Sequence, residues 1–194
     1  MLFFKPSYKK SSDEELMLSI SKGEKKAFDE LYARYADALL RYFTRLLWKD
    51  REKAEDFVHD LFAKIIQKPE LFDASRTFKT WVYSVANNMC KNEYKKQEVR
   101  KNTTNGIDHV NVIAQHDVLK ETHESIFQNT YNESIQQLDS KHREVFSLRH
   151  EDGLSIKEIA EILDLNEGTV KSRLFYATKQ LADLLKEFNP MMNR

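Results

Sequence analysis

SIKEIAEILDLNEGTVKSRLFYATKQL (residues 155–181) reads as two short helices around a tight turn. Ser155 and Glu158 stand at capping-box spacing, which opens the first helix at Ile156. Ile159, Ala160 and Leu163 fall on one face, and small Ala160 lets a second helix cross closely. Asp164 and Leu165 make the turn, and Asp enters the left-handed region more readily than most residues. Asn166 is an N-cap residue for the second helix. That helix turns Val170, Leu174, Ala177, Leu181 and Leu184 inward. Thr169, Lys171, Ser172, Arg173 and Tyr176 are left outside, near its N-terminal half. A short helix, a tight turn and a second helix with cations and hydroxyls on its first turns form a helix-turn-helix, whose second helix enters the DNA major groove. Arg173 and Lys171 can meet guanine edges or phosphates, and Thr169 and Ser172 can meet either.

The rest of the chain is helical as well. It has 194 residues, only four glycines and three prolines, and no proline interrupts a periodic run. The expected class is all-α, as two small helical domains joined by a flexible linker. Ser12 and Glu15 form a second capping-box match before Leu16 and Ile20. Phe28, Leu31, Tyr35, Leu39, Tyr42 and Leu46 make a continuous apolar stripe. Residues 54–67 place Phe57, Val58, Leu61, Phe62, Ile65 and Ile66 inward, and Pro69 ends that helix. Its other face carries Glu55, Asp56, His59 and Asp60, which suits a basic protein partner better than DNA.

After the loop 72–78, a helix is expected from about Thr77 to Gln97, with Phe78, Val82, Val85 and Met89 buried. Lys79, Thr80, Tyr83, Ser84, Asn87, Asn88, Lys91, Tyr94 and Lys95 are assigned to its outer side. Within 76–101, seven cationic residues face two acidic ones. Amides can read base edges and aromatics can stack on unpaired bases, so this face is a second candidate for nucleic acid. Residues 98–117 lose their periodicity and read as the linker. Periodicity returns with Leu119, Phe127, Tyr131, Ile135 and Leu138. The expected layout is a tail (1–12), a domain (13–97), the linker, a helix-turn-helix domain (118–189) and a tail (190–194).

Several function classes fall away. A single cysteine, Cys90, rules out an internal disulfide. No run approaches the roughly 18 apolar residues of a membrane span, and the order of residues 1–10 is not that of a secretory signal, so no membrane role and a cytoplasmic location are expected. No two of the six histidines sit at i,i+4 on one helix face with a carboxylate, as a zinc protease motif would, and there is neither a glycine-rich phosphate loop nor a nucleophile elbow. No metal, cofactor or catalytic residue is expected. Acidic and basic residues number 31 each, so any DNA affinity must come from local patches or from a partner. These residues alone leave open a stand-alone helix-turn-helix regulator with a helical sensor domain.

Taken in order, DEELMLSISKGEKKAFDELYARY, AEDFVHDLFAKI, FKTWVYSVANNMCKNEY, LDSKHREVFSLRHEDGLSIKEIAEIL and EGTVKSRL resemble the extracytoplasmic-function sigma factors of bacterial RNA polymerase, over about 13–97 and 118–187. The resemblance implies that Glu55, Asp56, His59 and Asp60 dock on the clamp helices of the largest subunit of core RNA polymerase. It implies that the loop 72–77 and the following helix read the minus-ten region of promoter DNA around a flipped non-template base. Phe72, Lys79, Trp81, Tyr83, Asn87, Asn88, Lys91 and Lys95 lie in that block, with Trp81 equally suited to the core. Asn166, Thr169, Lys171, Ser172, Arg173 and Tyr176 would read the minus-thirty-five element while the domain rests on the polymerase flap. An anti-sigma factor is a further partner the resemblance admits. The chain departs from the family pattern at His59, Asn87, Asp164 and the stretch after Arg173, where Phe175, Tyr176, Thr178 and Gln180 stand in a commonly basic run.

Overall fold

The structure, a computed structural model, describes residues 8–47, 50–103 and 123–188. Among these residues all regular structure is helical: α1 (Asp13–Ile20), α2 (Lys25–Leu46), α3 (Arg51–Gln67), α4 (Phe78–Thr103), α5 (His123–Gln137), α6 (Ser140–His150), α7 (Ile156–Leu163) and α8 (Glu167–Leu184), with three short 3-10 turns. Backbone packing divides them into two units: 8–96 with 157–165, and 97–156 with 166–188.

The first unit is built on aromatic packing. Leu31, Leu39, Tyr42 and Phe43 of α2, Leu61, Phe62 and Ile65 of α3, and Phe78 and Val82 of α4 are all buried. Tyr42 meets Tyr83 edge-on at 5.3 Å, and Tyr35 meets Phe78 edge-on at 5.1 Å. Such contacts add to what area burial alone contributes. The capping box at Ser12 and Glu15 forms in both directions, at 3.2 and 2.9 Å. Residues 8–12, expected as tail, are tied down as well: the Arg34 guanidinium donates to the carbonyls of Tyr8, Lys9 and Ser11.

Three features of α3 and α4 differ from the sequence expectation. Ile66 is half exposed rather than buried, because the inward arc of α3 is already filled by Ala54, Val58, Leu61, Phe62 and Ile65. α4 continues to Thr103, six residues into the stretch expected as linker; Glu98, Val99 and Arg100 are exposed there, so the extension needs no apolar stripe. The remaining linker residues, 104–117, lie outside the described residues, as do Trp48, Lys49 and 118–122. The third difference is the burial of α4, described below with the residues it affects.

In the second unit, Ile135, Leu138, Phe146, Ala177 and Leu181 form one apolar cluster, with Tyr131 packed at its edge. Asp139 caps α6 by accepting from Lys141 N at 2.8 Å.

Candidate nucleic-acid interface

α8 begins where the sequence places it. Asn166 is extended (φ −79°, ψ 152°), and its Oδ1 accepts from Thr169 N at 2.7 Å and Thr169 Oγ at 3.0 Å. The preceding turn closes with Leu165 N donating to the Ala160 carbonyl at 2.9 Å. Asp164 takes φ 55°, the only positive φ on a non-glycine among the described residues, as its place in the turn predicted.

Val170, Ala177 and Leu181 are buried, with Leu174 half-buried beside them. The face turned away from them carries Ser172, Phe175, Tyr176 and Lys179, all exposed. Thr169 and Arg173 are half-buried on its flank, and Lys171 is exposed. Lys171 lies 3.7 Å from Glu167, an exposed i,i+4 pair too weak to withhold the lysine from a phosphate. Phe175 was not among the expected site residues, yet it is 64% exposed on this face, its ring against Tyr176. The helical wheel could have found it, since it falls opposite Val170, Ala177 and Leu181.

α4 is enclosed over its first three turns. From Phe78 to Asn87 every residue is buried except Lys79 and Val85, which are half-buried. Of the residues expected at the minus-ten region, Tyr83 and Asn87 lose the outer position assigned to them, and Trp81 takes the core alternative left open for it. Tyr83 (2% exposed) and Asn87 (1%) are interior, and Trp81 packs edge-on against Phe72 at 5.4 Å as part of the core. Thr80 and Ser84 are buried too, whereas Val85 and Met89, expected inside, are half-buried. The polar residues among them bond within the fold: Ser84 Oγ donates to the Thr80 carbonyl at 2.9 Å and accepts from Arg76 at 3.1 Å.

The accessible surface of α4 is its second half. Asn88, Lys91, Asn92 and Lys95 are exposed at spacings that share one side of the helix. Asn92 was not anticipated. Phe72 is half-buried, and the loop after it is shaped locally: Asp73 Oδ1 accepts from Ser75 N at 2.9 Å, and Arg76 N donates to the Asp73 carbonyl at 3.1 Å. The Ser75 side chain and then its backbone N–H hold the Asp73 carboxyl below the usual aspartate range.

The acidic face of α3 is exposed as expected at Glu55, Asp56, His59 and Asp60. Glu55 pairs with Arg51 at 2.9 Å. No group of three His, Cys, Asp or Glu side chains suited to a metal occurs among the described residues, and no described helix is long and apolar enough to cross a membrane. Cys90 is fully buried.

Residues 31–100 match the family model for Sigma-70 region 2, and residues 129–181 match that for Sigma-70 region 4. The ECF RNA polymerase sigma factor SigW of Bacillus subtilis is 30% identical over 176 residues, covering 87% of this chain and 94% of its own. The chain belongs to the extracytoplasmic-function sigma factors. SigL of Mycobacterium tuberculosis, another ECF RNA polymerase sigma factor, is 33% identical over 158 residues, 81% of this chain and 88% of that one. Two solved structures share the fold: the sigma factor RpoE of Bartonella quintana with the anti-sigma factor NepR (TM-score 0.69, 24% identity, 83% of this chain and 98% of that one), and CnrH with the cytosolic domain of CnrY (TM-score 0.67, 22% identity, 92% and 100%). As a sigma factor, the chain directs promoter-specific transcription initiation by RNA polymerase. The region 2 match contains α3 and most of α4, and the region 4 match contains α6, α7 and most of α8.

Proposed function

We propose a division of labour among three surfaces of this sigma factor. Asn88, Lys91 and Lys95 on the open half of α4, with Phe72 and Lys79 at its start, read the minus-ten region. Trp81, Tyr83 and Asn87 support that surface from inside rather than touching DNA. Asn166, Thr169, Lys171, Ser172, Arg173 and Tyr176 of α8 read the minus-thirty-five element. Glu55, Asp56, His59 and Asp60 dock on the clamp helices of core polymerase, and the helix-turn-helix domain rests on the flap. The corresponding functional domains are 13–97 and 118–189.

The observation that carries this reading is the sorting of charge by helix. Exposed cations and amides line α4 and α8, while α3 presents an acidic face. Duplex DNA attracts the first kind of surface and repels the second. A chain with no net charge can still direct initiation when the polymerase supplies most of the grip. The protein acts in the cytoplasm, has no catalytic activity of its own, and has an anti-sigma factor as a further partner.

Co-elution with core polymerase followed by run-off transcription tests the assignment. The reading expects one sigma chain per polymerase and transcripts that start downstream of two fixed sequence elements. Specific DNA binding by a homodimer without polymerase would instead support a stand-alone regulator.

A further inference from the structure

We propose that Glu14, on α1, is a positioning residue for the minus-ten-reading loop; the inference rests on the assignment of α4 made above. The first four N–H groups of a helix have no partner within it. In α4, Thr77 caps the third of these positions: its Oγ accepts from Thr80 N at 3.3 Å, and its carbonyl accepts from Trp81 N at 3.0 Å. The first position, Phe78 N, donates to Glu14 Oε1 at 2.9 Å, 64 residues away in the chain. That bond, more than any other contact, lowers the Glu14 carboxyl from its ordinary value. The carboxylate therefore stays charged at working pH, at the helix end where negative charge is favoured.

The neighbouring carboxylate has a different task. Asp13 accepts from Arg34 at 2.8 Å and from the Tyr35 hydroxyl, which fixes α1 on α2. With α1 so held, Glu14 sets where α4 begins. Phe78 is fully buried and touches Phe72 at 5.8 Å and Trp81 at 5.7 Å. A displaced first turn would move these rings, and with them the loop 72–77, while leaving the acidic face of α3 and the second unit untouched.

Glu14→Ala, Glu14→Gln and Asn88→Ala are compared as full chains with core polymerase. The probe is a promoter fragment recovered by mapping the transcripts the chain directs, with 2-aminopurine in the minus-ten non-template strand. Glu14→Ala should open the fragment about fivefold more slowly, the size expected for one lost helix cap. Glu14→Gln, whose amide oxygen still accepts, should recover most of that rate. Co-elution with core polymerase should match wild type for all three. Opening at the wild-type rate by Glu14→Ala, with Asn88→Ala impaired, overturns the inference and leaves the minus-ten assignment standing. Loss of core binding in step with opening and thermal stability overturns it too, since a general folding defect would then explain both. If Asn88→Ala also opens normally, the minus-ten assignment falls and the inference falls with it.

Discussion

Asn166 is given two tasks at once, and two substitutions separate them. Its side chain caps α8 through Thr169 N at 2.7 Å and Thr169 Oγ at 3.0 Å, and in the proposed reading its amide nitrogen serves DNA. Asn166→Ala removes the cap. Because Thr169 is only half-buried, water takes over part of the lost bonding, so the expected destabilisation is about 1 kcal/mol rather than the upper end of the range for caps. Asn166→Asp keeps both acceptor contacts. It adds a negative charge at a helix N-terminus, worth roughly 0.3–1 kcal/mol in favour of folding. The same charge is unfavourable beside a phosphate. In water at about 7 Å, one such pair costs about 0.6 kcal/mol, and two or three phosphates screened by salt bring the total to about 1 kcal/mol. The Asp variant should therefore be as stable as wild type or more so, yet bind minus-thirty-five DNA about fivefold more weakly, with the deficit shrinking as salt rises. Denaturant unfolding of the chain, and fluorescence anisotropy of a minus-thirty-five duplex bound by the reconstituted holoenzyme, measure the two effects. Wild-type DNA binding by Asn166→Asp would refute the orientation of α8 toward DNA. Unchanged stability of Asn166→Ala would refute the energetic role of the cap.

Three other predictions address the remaining surfaces. Arg173→Ala should lower initiation that depends on the minus-thirty-five element by roughly 1–3 kcal/mol in binding terms, with core-polymerase binding intact, as run-off transcription and co-elution would read. Charge reversal at Asp56 and Asp60 should weaken co-elution with core polymerase while leaving the unfolding midpoint within about 0.5 kcal/mol of wild type, since both side chains are exposed. The Asp73 carboxyl titrates below the ordinary aspartate value in the folded chain, so its contribution to stability is present above that value and is lost as pH falls through the folded-state pKa. In Ser75→Ala its titration, followed by carboxyl-carbon NMR, should move back up toward the ordinary range.

The helix-turn-helix was legible because its signals are local. Capping by Asn166, the left-handed Asp164 and the inward positions Val170, Ala177 and Leu181 depend on residues within a few positions of one another. The faces of α4 were not legible, because the sequence does not say how much of a helix its neighbours enclose. Tyr83 and Asn87 look like surface residues by type, yet the first three turns of α4 are surrounded and hold them inside. Ile66 shows the opposite failure: an apolar residue left outside because the inner arc of α3 was already full. The bond from Phe78 to Glu14 joins residues in separate helices and leaves no periodic trace. Phe175 and Asn92 lie on faces that a helical wheel marks as open, but neither carries the charge that singles out its neighbours.

The central claim is that α4 meets the downstream promoter element and α8 the upstream one within a single polymerase complex. Photocrosslinkers placed singly at Asn88 and Ser172, both exposed, test it most directly on promoter DNA bound by the reconstituted holoenzyme. The account predicts crosslinks from position 88 to the minus-ten non-template strand and from position 172 to the minus-thirty-five duplex, both requiring core polymerase. Crosslinks from both positions to one element, or full crosslinking without polymerase, would contradict it.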